Sequence, residues 1–322
     1  MSFQKVRWGV LGYARIAQNW VIPAIQKSDN SVLHAVASRD EHKLRKCAEQ
    51  YGSIELYKSY EELLNDPGVQ AVYIPLPNGI HKEWVIKAAQ KGKHVLCEKP
   101  VSVNAVECAQ MIDECKKNGV KLMEAFMYRY TNRTKKIQEL IESKVIGQIR
   151  HIYSAFSFVL DREEDYRWDP SQGGGALMDI GCYPVNFVGM LMGKSPVSIS
   201  TQYVMKNGVD LKFSASLKYE NDIIADISCG FDGFINQFSQ ITGTKGTITV
   251  PDTFLDNAGN IILKTKDFTE EIHVEACEKY VLEVEDFARS IIEDREPYIS
   301  MDETLRNMKV MDMLLDNTYR KV

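Results

Sequence analysis

The first third of the chain alternates short β-branched runs with amphipathic stretches, a pattern that few folds can accept. Val6–Leu11 precedes a helical stretch ending at Lys27, Val32–Ser38 precedes Glu41–Tyr51, Ala71–Pro75 precedes Ile80–Gln90, and His94–Cys97 precedes Asn104–Asn118. Runs that are apolar throughout, such as Ala71–Pro75, suit strands buried on both faces, as in a parallel sheet covered by helices. Connections in such a sheet are right-handed, and ligands collect outside the carboxyl ends of its strands. The expectation is an α/β chain whose first domain, residues 1–124, is a doubly wound parallel sheet with its ligand site at the carboxyl ends of the strands.

Beyond about residue 125 the periodicity changes. In Val209–Tyr219 the residues Leu211, Phe213, Ala215, Leu217 and Tyr219 alternate with Lys212, Ser214, Ser216 and Lys218, as in a sheet with one solvated face. Gln148–Val159, Ser198–Met205, Ile223–Cys229, Asn236–Val250 and Asn260–Val274 are further strand candidates, with turn chemistry at Asn207-Gly208 and Thr244-Lys245-Gly246. Lys279–Ile292 and Met301–Tyr319 carry apolar residues at helical spacing. Residues 125–322 are therefore expected to form an α+β domain with a large, mainly antiparallel open sheet, its closing helix free to pack back on the first domain.

Composition narrows the functions available. Lys plus Arg number 39 and Asp plus Glu 44, a net charge of −5, so no basic surplus exists to neutralise nucleic-acid phosphates. No run approaches the ~20 continuous apolar residues of a membrane span, and no signal-peptide pattern opens the chain, so a cytoplasmic location is expected. The seven cysteines include no Cys-x-x-Cys pair and the six histidines no metal-binding helical spacing. They argue for reduced, mostly buried thiols and against a metal enzyme.

The first strand runs into Gly12-Tyr-Ala14-Arg15-Ile16-Ala17, a degenerate Gly-x-Gly-x-x-Gly. Small residues there permit a tight turn and close approach of a pyrophosphate to a helix N-terminus, whose N–H groups and dipole favour an anion. The second strand ends Ala37-Ser38-Arg39, with Lys43 four residues on. An acid there would suit the ribose 2′-hydroxyl of NAD; Ser38, Arg39 and Lys43 suit a 2′-phosphate, so NADP is expected, although Asp40 could still reach a ribose.

Further on, His94-Val-Leu-Cys-Glu98-Lys99-Pro100 puts a lysine at the sheet's carboxyl edge. Gly173-Gly-Gly-Ala-Leu-Met-Asp179-Ile-Gly-Cys-Tyr183-Pro-Val-Asn186 sets Asp179 and Tyr183 four apart, on one face of a helix that Pro184 should kink. Hydride transfer from a carbinol needs a group to exchange the hydroxyl proton, and tyrosine at pKa ~10 is too weak a base near neutrality. Lowering it by two or three units asks roughly 3–4 kcal/mol of Lys99, at about 1.36 kcal/mol per unit.

Together with Pro75-Leu76-Pro77-Asn78, His81 and Glu124-Ala-Phe-Met-Tyr-Arg129, these motifs resemble the glucose–fructose oxidoreductase and inositol dehydrogenase (Gfo/Idh/MocA) family over nearly the whole chain. The resemblance implies a Rossmann domain followed by an open sheet that forms the substrate wall and the subunit interface of a homodimer or homotetramer. Many members place histidine four residues after the aspartate. Tyr183 instead resembles the branch of dimeric dihydrodiol dehydrogenase and NADP-dependent D-xylose dehydrogenase, which implies tyrosine as acid and base, Lys99 beside it, and NADP.

By the same likeness Pro75, Leu76, Asn78 and His81 would line the path from adenine to nicotinamide, and Glu98 and Arg129 would seat the nicotinamide. Tyr130-Thr-Asn-Arg departs from the pattern that often follows that arginine. Phe158, Tyr166, Arg167, Trp168 and Phe238 are candidate substrate contacts, since aromatic faces stack on sugar or arene rings. The expected activity is oxidation of a cyclic polyol, foremost a pyranose at C1 to the lactone. A ketosugar reductase, a trans-dihydrodiol dehydrogenase and a nicotinamide-sensing regulator are the alternatives.

Overall fold

Strands that lack a polar side pack in the first third as a fully parallel sheet. A computed structural model describes residues 5–255 and 258–317. The chain divides into two units, Met1–Ala125 with Tyr280–Thr304, and Phe126–Lys279 with Leu305–Val322.

In the first unit β1 (Val6–Leu11), α1 (Ile22–Lys27), β2 (Ser31–Ala37), α2 (Glu41–Tyr51), β3 (Glu55–Tyr57), α3 (Tyr60–Asn65), β4 (Ala71–Ile74), α4 (His81–Gln90), β5 (His94–Glu98), α5 (Ala105–Lys117) and β6 (Leu122–Ala125) follow one another. Among the described residues the sheet has six strands in the order β3-β2-β1-β4-β5-β6, with every pair parallel. The order reverses between β1 and β4, and the crevice beyond the carboxyl ends at that switch is where such sheets bind dinucleotides. Side-chain caps set the helix starts: Asp40 accepts from the N–H of His42 and Lys43, Ser59 from Glu62, and Asn104 from Glu107. The sequence reading passed over β3, α3 and β6, which are too short to display a period.

The second unit contributes α6 (Asn132–Glu142), β7 (Ile149–Val159), α7 (Cys182–Met192), β8 (Ser198–Lys206), β9 (Val209–Lys218), β10 (Ile224–Gly230), β11 (Asp232–Asn236), β12 (Ser239–Gly243), β13 (Gly246–Val250), β14 (Gly259–Thr265) and β15 (Thr269–Val274). Two helices follow, α8 (Lys279–Ile292) and α9 (Met301–Asp316); Tyr319, the expected end of the last helix, lies outside the described residues. Among the described residues the sheet has nine strands, ordered β15-β14-β13-β12-β7-β10-β9-β8 with β11 beside β7. All pairs are antiparallel except β7 with β10. The turn expected at Thr244-Lys245-Gly246 separates β12 from β13, whereas Asn260–Val274, read as a single extended segment, is broken between β14 and β15.

In β9 Phe213, Ala215 and Leu217 are buried while Ser214 and Lys218 face solvent, the alternation expected of a half-covered sheet. The helical stretch Pro170–Met192 is apolar and long enough to cross a bilayer, yet 83% of its apolar window is buried within the fold, so its hydropathy is that of a core helix.

Candidate active site

Gly12 leaves β1 with φ +102°, and a Cβ there would sit 3.0 Å from Leu76 Cδ2. Glycine is therefore needed for both conformation and space. Ala14 O accepts the N–H of Gln18 at 3.0 Å, and Arg15 and Ile16 lead into a widened turn, Ala17–Val21, that no side chain caps. Pro23, lacking a backbone donor, follows in the first turn of α1. A turn of small residues opening an uncapped helix is suited to a pyrophosphate.

At the end of β2, Ser38 is buried and its Oγ accepts the N–H of Asp40 at 3.1 Å. Asp40 Oδ1 serves as the cap of α2, accepting the N–H groups of His42 and Lys43. Arg39 and Lys43 are exposed, and the Arg39 guanidinium lies 5.8 Å from the centre of the Tyr60 ring. These residues fit a phosphorylated ribose better than a bare diol.

Pro75 and Asn78 are buried and Leu76 is half-buried after β4. His81 departs from the expected role. Its ring is fully buried, Nε2 lies 2.7 Å from Leu76 O and Nδ1 3.0 Å from Pro100 O, and burial holds its pKa below the ordinary imidazole value. It ties the Leu76 loop to the turn after Lys99 and offers no surface to a ligand.

A second support for that turn is Glu124, present in the sequence reading only as the start of a motif. Its Oε1 accepts the N–H of Val101 at 2.9 Å, and burial pushes its carboxyl up to about 8. A glutamate within the otherwise apolar Leu122–Ala125 was the available signal. Glu98 accepts the hydroxyl of the buried Tyr73, and Glu98 and Lys99 are both half-buried.

In the second unit Gly173-Gly174-Gly175 delivers the chain into the helix that carries Asp179 and Tyr183. Gly175 has φ +107°, and a Cβ there would lie 2.2 Å from Asp210 Oδ1. Asp210 Oδ2 accepts the N–H of Leu177 at 2.7 Å, so a buried carboxylate from β9 caps this helix from outside it. Burial pushes the Asp210 carboxyl up to about 7. The sequence gives no sign of this residue's role, because its partner is 33 positions away.

The expected kink takes the form of a widened turn, Leu177–Gly181, directly before α7. Such turns accommodate a residue that cannot donate, here Pro184. Tyr183 is 5% exposed, its hydroxyl lies 3.7 Å from Met127 Sδ, and its ring packs against Phe126, Tyr128, Phe156 and Phe254. Arg129, expected at the nicotinamide, is 3% exposed and lies 3.4 Å from Asn186 Oδ1, which also accepts the Tyr128 hydroxyl.

The substrate candidate Arg167 is brought to Asp179, a catalytic candidate: Arg167 Nε donates to Asp179 Oδ2 at 2.6 Å. Trp168 is buried against Phe231 and donates its indole N–H to Arg162 O, so its polar tip is taken within its own loop. Phe158 also packs on Phe231, and Tyr166 is exposed beneath the Arg167 guanidinium. Phe238 must be corrected. It packs on Tyr153, whereas Tyr183 packs on Phe156, and residues three apart on one strand point to opposite faces. Phe238 is therefore on the wrong side of the sheet to meet a substrate held by Tyr183.

Residues 6–126 match the model of the GFO/IDH/MocA oxidoreductase family with an NAD-binding Rossmann fold, and 134–249 match the GFO/IDH/MocA C-terminal domain. The chain is 36% identical to D-xylose 1-dehydrogenase (NADP(+)) 2 of Haloferax volcanii, covering 96% of both chains. It is 33% identical to trans-1,2-dihydrobenzene-1,2-diol dehydrogenase of Xenopus laevis, over 81% of this chain and 79% of that one. A 3-ketoreductase from Actinomadura kijaniata, solved with NADP and TDP-benzene, superposes with a TM-score of 0.90 at 25% identity, covering 98% of each chain. Two matching domains in order, and relatives aligned nearly end to end, show that the chain belongs to the GFO/IDH/MocA family of oxidoreductases.

Proposed function

We propose that the protein is an NADP-dependent sugar dehydrogenase that oxidises a pyranose at C1 to its lactone. The observation that carries this reading is the occurrence together of a phosphate-suited β2 end, where Asp40 Oδ1 caps α2 and Arg39 and Lys43 are exposed, and an intact Lys99 and Tyr183. The D-xylose dehydrogenase named for NADP(+) supports the cofactor and the substrate class. In the Actinomadura kijaniata 3-ketoreductase, a tyrosine and a lysine at the same sequence separation as Tyr183 and Lys99 were chosen for replacement.

Gly12, Ala14, Arg15, Ile16 and Ala17 would hold the pyrophosphate, Ser38, Arg39 and Lys43 the 2′-phosphate, and Leu76, Asn78 and Glu98 the stretch toward the nicotinamide. When bound, NADP supplies the hydride acceptor. Tyr183 exchanges the proton of the substrate hydroxyl, and the Lys99 ammonium stabilises the phenolate and the reacting oxygen. Asp179 orients the substrate. His81 and Glu124 keep the Lys99 turn in place from behind.

The same reading makes the chain a homodimer or homotetramer through the nine-stranded sheet, on which Val204 and Phe234 are exposed. A groove of about 430 Å³ on this sheet, lined in part by Tyr203, Val204, Lys212 and Asp232, does not include Asp179 or Tyr183 and is not the substrate pocket proposed.

The test is a panel of aldoses, ketosugars and cyclic trans-diols followed at the NADPH absorbance, with the product trapped as a lactone. Fastest turnover on an aldose with lactone formation is the expected result. Preference for a ketosugar with NADPH, or for a cyclic diol, would replace the substrate, and tight NADPH binding with no turnover on any of them would make the protein a cofactor sensor.

A further inference from the structure

Arg167 entered the sequence reading as a substrate contact, yet its geometry is that of a residue facing inward. Its Nε donates to Asp179 Oδ2 at 2.6 Å and its Nη1 to Asp165 Oδ1 at 3.1 Å, while Asp165 and Asp179 are each 6% exposed at the side chain. The backbone is tied as well: Arg167 O accepts the N–H of Gly175 at 2.9 Å, and a Cβ on Gly174 would lie 2.4 Å from that same oxygen. One residue thus grips both the glycine turn and the first acid of the helix that carries Tyr183.

A carboxylate with this little exposure would favour its neutral form unless a cation faced it. A neutral carboxyl donates one hydrogen bond, whereas an anion only accepts. An ionised acid can only accept from a substrate hydroxyl, whereas a neutral one can also donate to it, so the charge sets the polarity of the contact. Burial works against the charge on Arg167, but Asp179, Tyr166 and Asp165 together outweigh it and raise the guanidinium pKa above its ordinary value.

We infer that Arg167 is a positioning residue: it holds Asp179 ionised and in one orientation, and so fixes the polarity with which the site meets a polyol. The inference rests on the dehydrogenase reading above. It differs from substrate binding in a measurable way, because a residue acting through Asp179 changes nothing once Asp179 is gone.

The test uses the full-length enzyme, its best polyol from the panel, and the variants Arg167→Gln, Arg167→Lys, Asp179→Asn and the Arg167→Gln/Asp179→Asn pair. In Arg167→Gln we expect kcat to fall by about 10–100-fold, the range for groups that orient others in a site, with KM within about threefold and NADPH affinity unchanged. Arg167→Lys should recover part of the loss, since it keeps the charge but not the fork. The double variant should be no slower than Asp179→Asn alone.

The acid limb of the kcat profile should move to higher pH in Arg167→Gln. Removing the cation raises the pKa at which Asp179 takes a proton, and activity is lost as pH falls through it. Asp165, Arg162, Tyr166, Asp210 and the buried Cys182 and Cys229 thiols, the last pushed up by burial beside Asp210, Cys182 and Asp179, are further titratable groups close by. A KM raised more than tenfold with kcat kept, or losses that multiply in the double variant, would overturn the inference in favour of direct substrate contact. If wild type turns over no polyol, the dehydrogenase reading fails first, and the inference falls with it.

Discussion

The helix that follows Gly12 and the helix that follows Gly175 begin from closely similar turns. The two glycines have φ of +102° and +107°, and each turn leads into a widened helical turn, Ala17–Val21 or Leu177–Gly181, with Pro23 or Pro184 just beyond. They differ in what satisfies the first N–H groups. At the second, Asp210 reaches in from β9 and takes the N–H of Leu177; at the first, no side chain caps the turn. A helix start that carries its own acceptor is fixed in place and suited to hold reacting side chains. One without an internal acceptor is suited to bind an anion from outside.

The largest expected effect breaks the chemistry assigned to the self-capped helix. Tyr183→Phe should lower kcat by on the order of 10³-fold while NADPH binding, read by fluorescence titration, stays within about threefold. Near-normal turnover would remove Tyr183 from the proton path.

Next come the two glycines themselves. Gly175→Ala drives a Cβ to 2.2 Å from Asp210 Oδ1 at a positive φ, and should cost about 3 kcal/mol, read as a fall in Tm. Gly12→Ala meets the flexible end of Leu76 at 3.0 Å and the Tyr60 hydroxyl at 3.4 Å, so it should cost about 1–2 kcal/mol and weaken NADPH roughly tenfold. Equal losses of stability with no change in NADPH affinity would erase the distinction between the two turns.

The smallest effect concerns pH. Burial holds the Asp210 carboxyl near 7, against 3.8 ordinarily. Between those values the folded chain keeps a proton that the unfolded chain has released, so this group makes the fold less stable as pH rises from about 4 to about 7. Asp210→Asn keeps an acceptor but cannot ionise, and its Tm should fall less across that window than that of wild type. An unchanged slope would show that Asp210 titrates as it does in the unfolded chain.

The elements most legible in the sequence were those long enough to show a period and bounded by a capping residue. Glu41–Tyr51, bounded by Asp40, is read to the residue, and Val209–Lys218 follows its predicted alternation. Glu55–Tyr57 and Leu122–Ala125 escaped notice because three or four residues carry no period. Within the site, motif residues such as Gly12 and Asp179 were legible because their spacing is local. Phe238 was misplaced because composition marks an aromatic ring without saying which face of a sheet it joins.

By itself the amino-acid order indicated the parallel sheet, the glycine turn after β1, and the lysine, aspartate and tyrosine available for chemistry, since each is marked by residue types at local spacing. Only the tertiary structure decided that His81 and Glu124 back the Lys99 turn, that Asp210 caps the Tyr183 helix, and that Arg167 belongs to Asp179. These are pairings of buried polar groups, most of them between residues far apart in the chain. Nothing local selects them; they form because a polar atom taken out of water must find a partner wherever the fold has brought one.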